Sequence, residues 1–253
     1  MTVEDSRTPG EEPTPESRPR RKGLRLYQET ALLLVIAVVL AVVVKTFFVQ
    51  AFYIPSESME PGLVKNDRIL VEKPSYWFGG TPQRGDVIVF QDPGNWLTAE
   101  ESAGPSGLLA TVLARTGLYP SGGHLVKRVI GVAGDTIHCC DQQGRLVVNG
   151  QPLDESPEVI RSGQRCDGPE VDSCTRPWTV GPVPAGSLFV MGDNRAHSAD
   201  SAYHVCHPRA VGCGSGPVFV PTSDVVGKVA TLMWPLRRAH LLHRPAGFSA
   251  LGH

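Results

Sequence analysis

Between Ala31 and Val44 the chain carries no polar side chain, and after Lys45 the apolar run resumes with Phe47, Phe48 and Val49. A helix that spans a bilayer needs about 20 mostly apolar residues. This stretch is apolar all round rather than striped, which suits lipid better than a soluble core. The pattern predicts one transmembrane helix over residues 30–53, with Lys45 reaching out to the headgroups. The residues before it read differently. "MTVEDSRTPGEEPTPESRPRRKG" has almost no large apolar side chain, so residues 1–29 are expected to form a disordered tail. Arg18, Arg20, Arg21, Lys22 and Arg25 crowd the upstream side of the run, whereas Lys45 and Lys65 are the nearby bases downstream. The positive-inside rule then puts the tail in the cytoplasm and everything after Tyr53 outside. A cleaved secretory signal has a shorter apolar region and a small-residue cleavage site; this run ends in Phe-Phe-Val-Gln.

Beyond Ile54 the pattern shortens to strand length. Arg68–Lys73, Asp86–Phe90, Leu125–Val132, Arg145–Gly150, Ser187–Gly192 and Asp224–Trp234 are rich in β-branched residues and bounded by Gly, Pro or Asp. The Asn149-Gly150 pair is a strong hairpin signal. Residues 91–124 hold few strand cues, and "GLLATVLARTG" within them reads as a short helix. Residues 154–185 are rich in Pro, Gly and Cys and read as an excursion from the main sheet. The closing "PLRRAHLLHRPAGFSALGH" is basic and too broken to span a bilayer, so it either lies on anionic lipid or frays.

Composition narrows the picture further. Of 253 residues 41% are hydrophobic, enough for a real core, and 27 Gly with 22 Pro suit short strands and turns. A net charge of −1 gives no bulk attraction to nucleic acid, and none is expected as a partner. The six cysteines, Cys139, Cys140, Cys166, Cys174, Cys206 and Cys213, all follow the apolar run, where thiols outside the cytoplasm tend to pair. Cys166 with Cys174, and Cys206 with Cys213, would each close a short loop, but sequence does not choose among connectivities. His138–Cys140 and His204–His207 mix zinc-type ligands, yet no C-x-x-C pair is present, and no metal is expected.

The common catalytic motifs are missing: no Gly-rich phosphate loop, no G-x-S-x-G, no H-E-x-x-H. A lysine can replace histidine as the base that activates a nucleophile, provided burial disfavours its ammonium form. Lys127, with Val126 before it and Val129 and Ile130 after it, is a lysine set among aliphatic residues on a strand. Alternation puts Lys127 and Arg128 on opposite faces, so one of them must point inward. The bland alternative is a solvent-facing strand lysine. In "PSESMEPGL", Pro55 and Pro61 stiffen a turn that presents Ser56 and Ser58. One such hydroxyl can attack while the other helps stabilise an oxyanion; a plain linker turn has the same composition.

Taken in order, these stretches resemble the type I signal peptidases, membrane-bound proteases with a Ser-Lys dyad. "PSESMEPGL" resembles the family's nucleophile box, with Gly62 in place of Thr. "RGDVIVF" resembles its G-D strand, and "VKRVIGVAGDTI" its lysine box, with Ala133 in place of Pro. "MGDNRAHSADSAY" resembles its last box. The resemblance implies Ser58 as nucleophile, Lys127 as general base, Ser56 as an oxyanion-hole donor beside the Ser58 N–H, and Ser198 as the hydroxyl that orients the lysine. Asp193, Arg195 and Asp200 would form the framework near the site. The arginine that ordinarily pairs with Asp200 is Ala202 here, and Arg195 is expected to take part of that role.

The implied fold is mainly β: twisted antiparallel sheets forming one extracytoplasmic catalytic domain over residues 54–253, with an inserted β-rich flap at 137–187. The implied activity is removal of signal peptides after small residues of the Ala-x-Ala type. Shallow apolar pockets aligned with Phe52, Ile54, Pro55, Met59, Leu63, Ile69, Leu125 and Val126 would exclude larger side chains. The substrate would add as a strand at free edges near Ile54 and Leu125. The implied partners are preproteins, the bilayer and, by proximity, the secretion translocon, at the cell membrane with a single pass and no cofactor. "SYWFGG" offers an aromatic trio suited to the lipid interface. A self-cleaving Ser-Lys regulator shares this chemistry but lacks the membrane segment. A catalytically inactive membrane-anchored scaffold is the alternative of another class.

Overall fold

Helix α1, Leu26–Val43, forms where the unbroken aliphatic run begins, in a computed structural model that describes residues 26–97, 123–155, 157, 159, 178–205 and 216–251. Its 18 residues rise about 27 Å. Its first turns are spent on Tyr27, Gln28, Glu29 and Thr30, so the apolar part is shorter still. Among the described residues no helix is long and apolar enough to cross a membrane. The expected helix over 30–53 is thus corrected at its far end. The helix gives way to a π turn, Val44–Phe48, and then to strand β1, Val49–Tyr53. The reason is pairing. β1 meets strand β2, Arg68–Glu72, in antiparallel register from Val49↔Glu72 to Tyr53↔Arg68, and its Phe52 is buried. A ladder satisfies these backbone groups as well as a helix does, and it buries the ring too.

The chain divides into two compact units, residues 1–40 and 41–253. The second holds every described strand. After β1 and β2 come β3 (Val87–Gln91), β4 (His124–Gly131), β5 (Ile137–Cys139), β6 (Leu146–Val148), β7 (Gln151–Pro152) and β8 (Trp178–Val180). Then follow β9 (Ser187–Met191), the short helix α2 (Ser201–His204), β10 (Val220–Pro221), β11 (Val225–Trp234), β12 (His240–Leu241) and helix α3 (Ala246–Ser249). The large sheet runs β1-β2-β11-β3-β4-β9-β10, with β12 on β11, and a second sheet runs β7-β6-β5-β8. Every pairing is antiparallel. The mainly β, antiparallel expectation holds, and each of the six strand-like runs becomes a strand. The short helix read at "GLLATVLARTG" lies outside the described residues.

Both faces of the large sheet are covered near β3 and β4. One apolar cluster gathers Phe52, Ile54, Met59, Leu63, Ile69, Val87, Val89 and Leu232; another gathers Ile88, Phe90, Trp96, Leu125, Val129 and Val190. That is why β3 reads as a continuous apolar run rather than alternating. A third cluster joins Ile130, Phe189 and Met191 to the second sheet through Ile137, Leu146 and Trp178. The hairpin between β6 and β7 turns on Asn149 (φ 51°) and Gly150 (φ 81°), the left-handed pair that a two-residue loop requires.

Asp135 ties that second sheet to the body. It accepts from Arg84 Nε and Nη2 at 2.7 and 2.6 Å, from the Val132 N–H at 2.8 Å and from Asn149 Nδ2 at 2.8 Å. Burial pushes its carboxyl up, but the Arg84 bonds, the Val132 N–H and Asn149 outweigh burial and hold it below the usual range. The folded protein therefore holds this proton more weakly than the unfolded chain does. The stabilisation is complete above about pH 4 to 5 and is lost as pH falls through the depressed folded value. Asp135→Asn should flatten the acid limb of the melting temperature against pH between about pH 5 and 2. An acid limb identical to that of the unmodified protein would refute the assignment.

Candidate active site

The loop between β1 and β2 presents the paired serines. Its neck is closed by two backbone bonds, Ile54 N–H to Asp67 O at 2.9 Å and Asn66 N–H to Ile54 O at 3.0 Å. Within it the Leu63 N–H donates to Met59 O at 2.9 Å, and Met59 and Leu63 bury their side chains. Ser58 is thereby turned inward and is 5% exposed. Across from it, β4 carries Lys127 opposite Ile88 of β3, 4% exposed. Lys127 Nζ donates to Ser58 Oγ at 2.6 Å, and Ser56 Oγ lies 3.2 Å from Ser58 Oγ. Three side chains from two distant segments thus form one hydrogen-bonded cluster. Burial disfavours the charged form of a lysine in such a place.

A cavity of about 120 Å³ opens beside them, lined mostly by apolar side chains. Of the expected pocket residues, Ile54, Pro55, Met59, Leu125 and Val126 line it. Phe52, Leu63 and Ile69 do not; they stand behind it in the core under β1 and β2. Apolar character alone does not separate a pocket wall from the core that backs it. Leu97 and His124 line the cavity and were not anticipated. His124 sits at the head of the lysine strand, its ring 5.3 Å from that of Phe52, and its place in "HLVKRV" was the available signal. Leu97 lies in a stretch with no strand cue and had none. The free edge expected near Ile54 is also corrected, because the Ile54 N–H and C=O are the neck bonds just described. On β4, by contrast, β9 pairs from Arg128 onward, so residues 124–127 lack a second described strand beside them.

The segment after β9 closes the far side. The Asn194 N–H donates to Ser58 O at 3.0 Å. A Cβ at Gly192 would collide with both Ser58 O and Ser198 Oγ, so only glycine lets these two segments approach. Ser198 is buried there, but its Oγ has no hydrogen-bond partner among the described residues. The bond from Ser198 to Lys127 that the resemblance implies is therefore not formed in this structure.

Charge pairs hold this framework. Asp193 takes Arg128 in a two-pronged bond, Nε to Oδ1 at 2.7 Å and Nη2 to Oδ2 at 2.6 Å. Burial alone would lower the Arg128 guanidinium; Asp193 outweighs it and raises the group above its ordinary value. Lys127 and Arg128 are both buried, one on each face, because the sheet is covered on both sides here. Alternation had required only one of them to be. Arg195 is buried against Glu155 and donates from Nε to Gly192 O at 2.9 Å. Its expected pairing with Asp200 is not made. Asp200 instead caps α2, accepting from the Ala202 and Tyr203 N–H groups, and takes the Gly192 N–H at 2.9 Å. With Ala202 in the first turn of that helix, backbone donors occupy the carboxylate and no arginine is needed. Glu155 gave no sequence signal, since a single acid in a Pro-rich stretch reads as surface.

The remaining candidates are quickly placed. Cys139 and Cys140 are joined by a disulfide, and the other four cysteines lie outside the described residues. Among the described residues no group of three or more His, Cys, Asp or Glu could hold a metal ion. The aromatic trio splits. Tyr76 turns inward, its hydroxyl 3.3 Å from Asp86 Oδ2, while Trp77 packs on Phe48 and Phe78 is wholly exposed.

Known proteins resemble this chain over most of its length. The family model for "Signal peptidase, peptidase S26" matches residues 27–234. A "Probable signal peptidase I" of Mycobacterium leprae is 40% identical, with 94% of this chain and 86% of that protein aligned. "Signal peptidase I" of Mycobacterium tuberculosis is 41% identical over 89% of this chain and 78% of its own length. "Signal peptidase I" of Leptolyngbya laminosa is 34% identical over 96% and 98%.

The Arg128–Asp193 pair yields a stability prediction. Asp193→Ala leaves a guanidinium buried without its partner and should cost about 3–5 kcal/mol in denaturant unfolding. A loss within about 0.5 kcal/mol, typical of a surface change, would show that the pair does not hold the framework.

Proposed function

The chain belongs to the signal peptidase family, peptidase S26, and from that premise we propose that it cleaves preproteins through Ser58 as nucleophile and Lys127 as general base. The buried 2.6 Å contact between their reacting atoms carries this reading. In the active form the contact exchanges its roles: the neutral amine of Lys127 accepts the Ser58 proton as Oγ attacks the scissile carbonyl. The developing oxyanion is met by the Ser56 hydroxyl and the Ser58 N–H. The protonated lysine returns its proton to the departing amine, leaving an acyl-enzyme. Water activated by the same lysine then releases it. Ser198, buried beside Gly192, is the hydroxyl that orients the amine once it rotates toward it.

The cavity sets the preference for small residues. Shallow subsites against the apolar wall formed by Ile54, Pro55, Met59, Leu125 and Val126 would exclude larger side chains. The substrate runs as an added strand along residues 124–127, which keeps its carbonyl beside Ser58.

We further propose that the apolar run from Ala31 to Phe48 anchors the enzyme in the cell membrane, tail in the cytoplasm and catalytic unit outside. Leu32, Leu33, Leu34, Val35 and Ile36 are exposed all round α1. An apolar surface of this size calls for lipid or a partner rather than water.

Two measurements test this. Ser58→Ala and Lys127→Ala should each lower kcat on a preprotein with an Ala-x-Ala site by at least about a thousandfold with folding intact. Activity should rise with pH on the limb where the lysine loses its proton. Retained cleavage in either variant contradicts the dyad, and no cleavage by the unmodified protein favours an inactive scaffold. Second, in a variant with Trp77 as its sole tryptophan, fluorescence should be quenched by brominated lipid in vesicles. Unchanged fluorescence on adding vesicles counts against an interfacial role.

A further inference from the structure

Past Trp234, where the family-model match ends, the chain turns back onto the catalytic unit. A 3-10 turn, Leu236–Arg238, brings Arg238 against the serine loop. Arg238 Nη1 donates to both oxygens of Asp67, at 2.8 and 2.7 Å. Its Nη2 donates to Gly62 O at 3.0 Å and Pro61 O at 3.3 Å. Asp67 is the residue whose carbonyl closes the loop neck with Ile54, and its Oδ2 also takes the Val64 N–H at 2.8 Å. One guanidinium therefore joins the neck of the loop to its crown, with Ser58 in the arc between Ile54 and Pro61.

We infer that Arg238 is a positioning residue for Ser58: a clasp from the C-terminal segment that fixes the loop so that Oγ meets Lys127. The inference rests on the Ser58–Lys127 reading above. Its physical content is tolerance. A displacement of about 1 Å at the reacting atoms can cost about a hundredfold in rate. Other holds on this arc, such as the Asn194 N–H on Ser58 O, the Leu63 N–H on Met59 O and the Pro61–Val159 bridge, each restrain one point and do not tie its neck to its crown. Arginine is suited to the task because its planar fork serves the carboxylate and two carbonyls together; a lysine has one centre to offer. The Arg238 side chain is 32% exposed although Asp67 is buried, so loss of the arginine can be answered in part by water at the rim.

The test uses the full chain in detergent micelles, with kcat expressed per serine titrated by an acylating inhibitor. Arg238→Gln should lower kcat about tenfold or more with KM within about twofold, and without a matching loss of folded protein. Arg238→Lys, which can keep the ion pair but not both carbonyl bonds, should fall between. The double variant Asp67→Asn/Arg238→Gln should be no worse than the more damaged single variant. Arg237→Gln, on the exposed neighbour, should be indistinguishable from the unmodified protein. If Arg238→Gln loses its melting transition, Asp67→Asn, which preserves side-chain shape, carries the same expectation. Unmodified kcat per titrated site in Arg238→Gln or Asp67→Asn, or a change confined to KM, overturns the inference. Cleavage surviving Ser58→Ala instead overturns the dyad reading beneath it.

Discussion

A lysine amine withdrawn from water and bonded to a serine hydroxyl is the constraint around which the unit is arranged. Water around Nζ would favour the ammonium, and an ammonium cannot take a proton. Every layer near Lys127 works against that. β4 lies inside the sheet between β3 and β9, with apolar clusters on both faces. The serine loop folds Met59 and Leu63 beneath itself, and Gly192 lets the segment after β9 close to contact.

Covering both faces has a cost on the other side of the strand. Arg128 follows Lys127 and is buried too, so its charge must be answered. Asp193 answers it in a two-pronged bond, and the same turn supplies the Asn194 N–H that holds Ser58. The charge pair that stabilises the far face thereby positions the near one. Arg195 with Glu155, and Asp200 capping α2, extend this framework toward Ser198. Ala202 stands where the resemblance leads one to expect an arginine, yet Asp200 is engaged by the peptide N–H groups of Gly192, Ala202 and Tyr203.

Much of this was legible from residues alone where the information is local. β-branched runs marked the strands, Asn149-Gly150 marked its hairpin, and a lysine among aliphatics marked the buried amine that meets Ser58. What failed was long-range. The helix was carried through to residue 53 because Val49–Tyr53 is mostly apolar, but that segment finds a ladder partner in β2. Phe52, Leu63 and Ile69 were read as pocket walls because apolarity does not reveal depth. Glu155 and Arg238 escaped because an isolated charge in a Pro-rich or basic stretch resembles solvated surface until the partner across the fold is known. The last segment was read as lying on lipid or frayed for the same reason, although β12, Arg238 and Arg244 fasten it to β11, Asp67 and Asp86.

The central claim concerns the protonation state of one amine, so the most direct measurement reads that amine. With lysine Cε isotopically labelled and Lys127 assigned by its loss in Lys127→Ala, NMR near neutral pH should show the chemical shift of a free amine at Lys127 while surface lysines remain ammonium. A Lys127 signal that stays ammonium until the pH at which the surface lysines titrate would contradict the account.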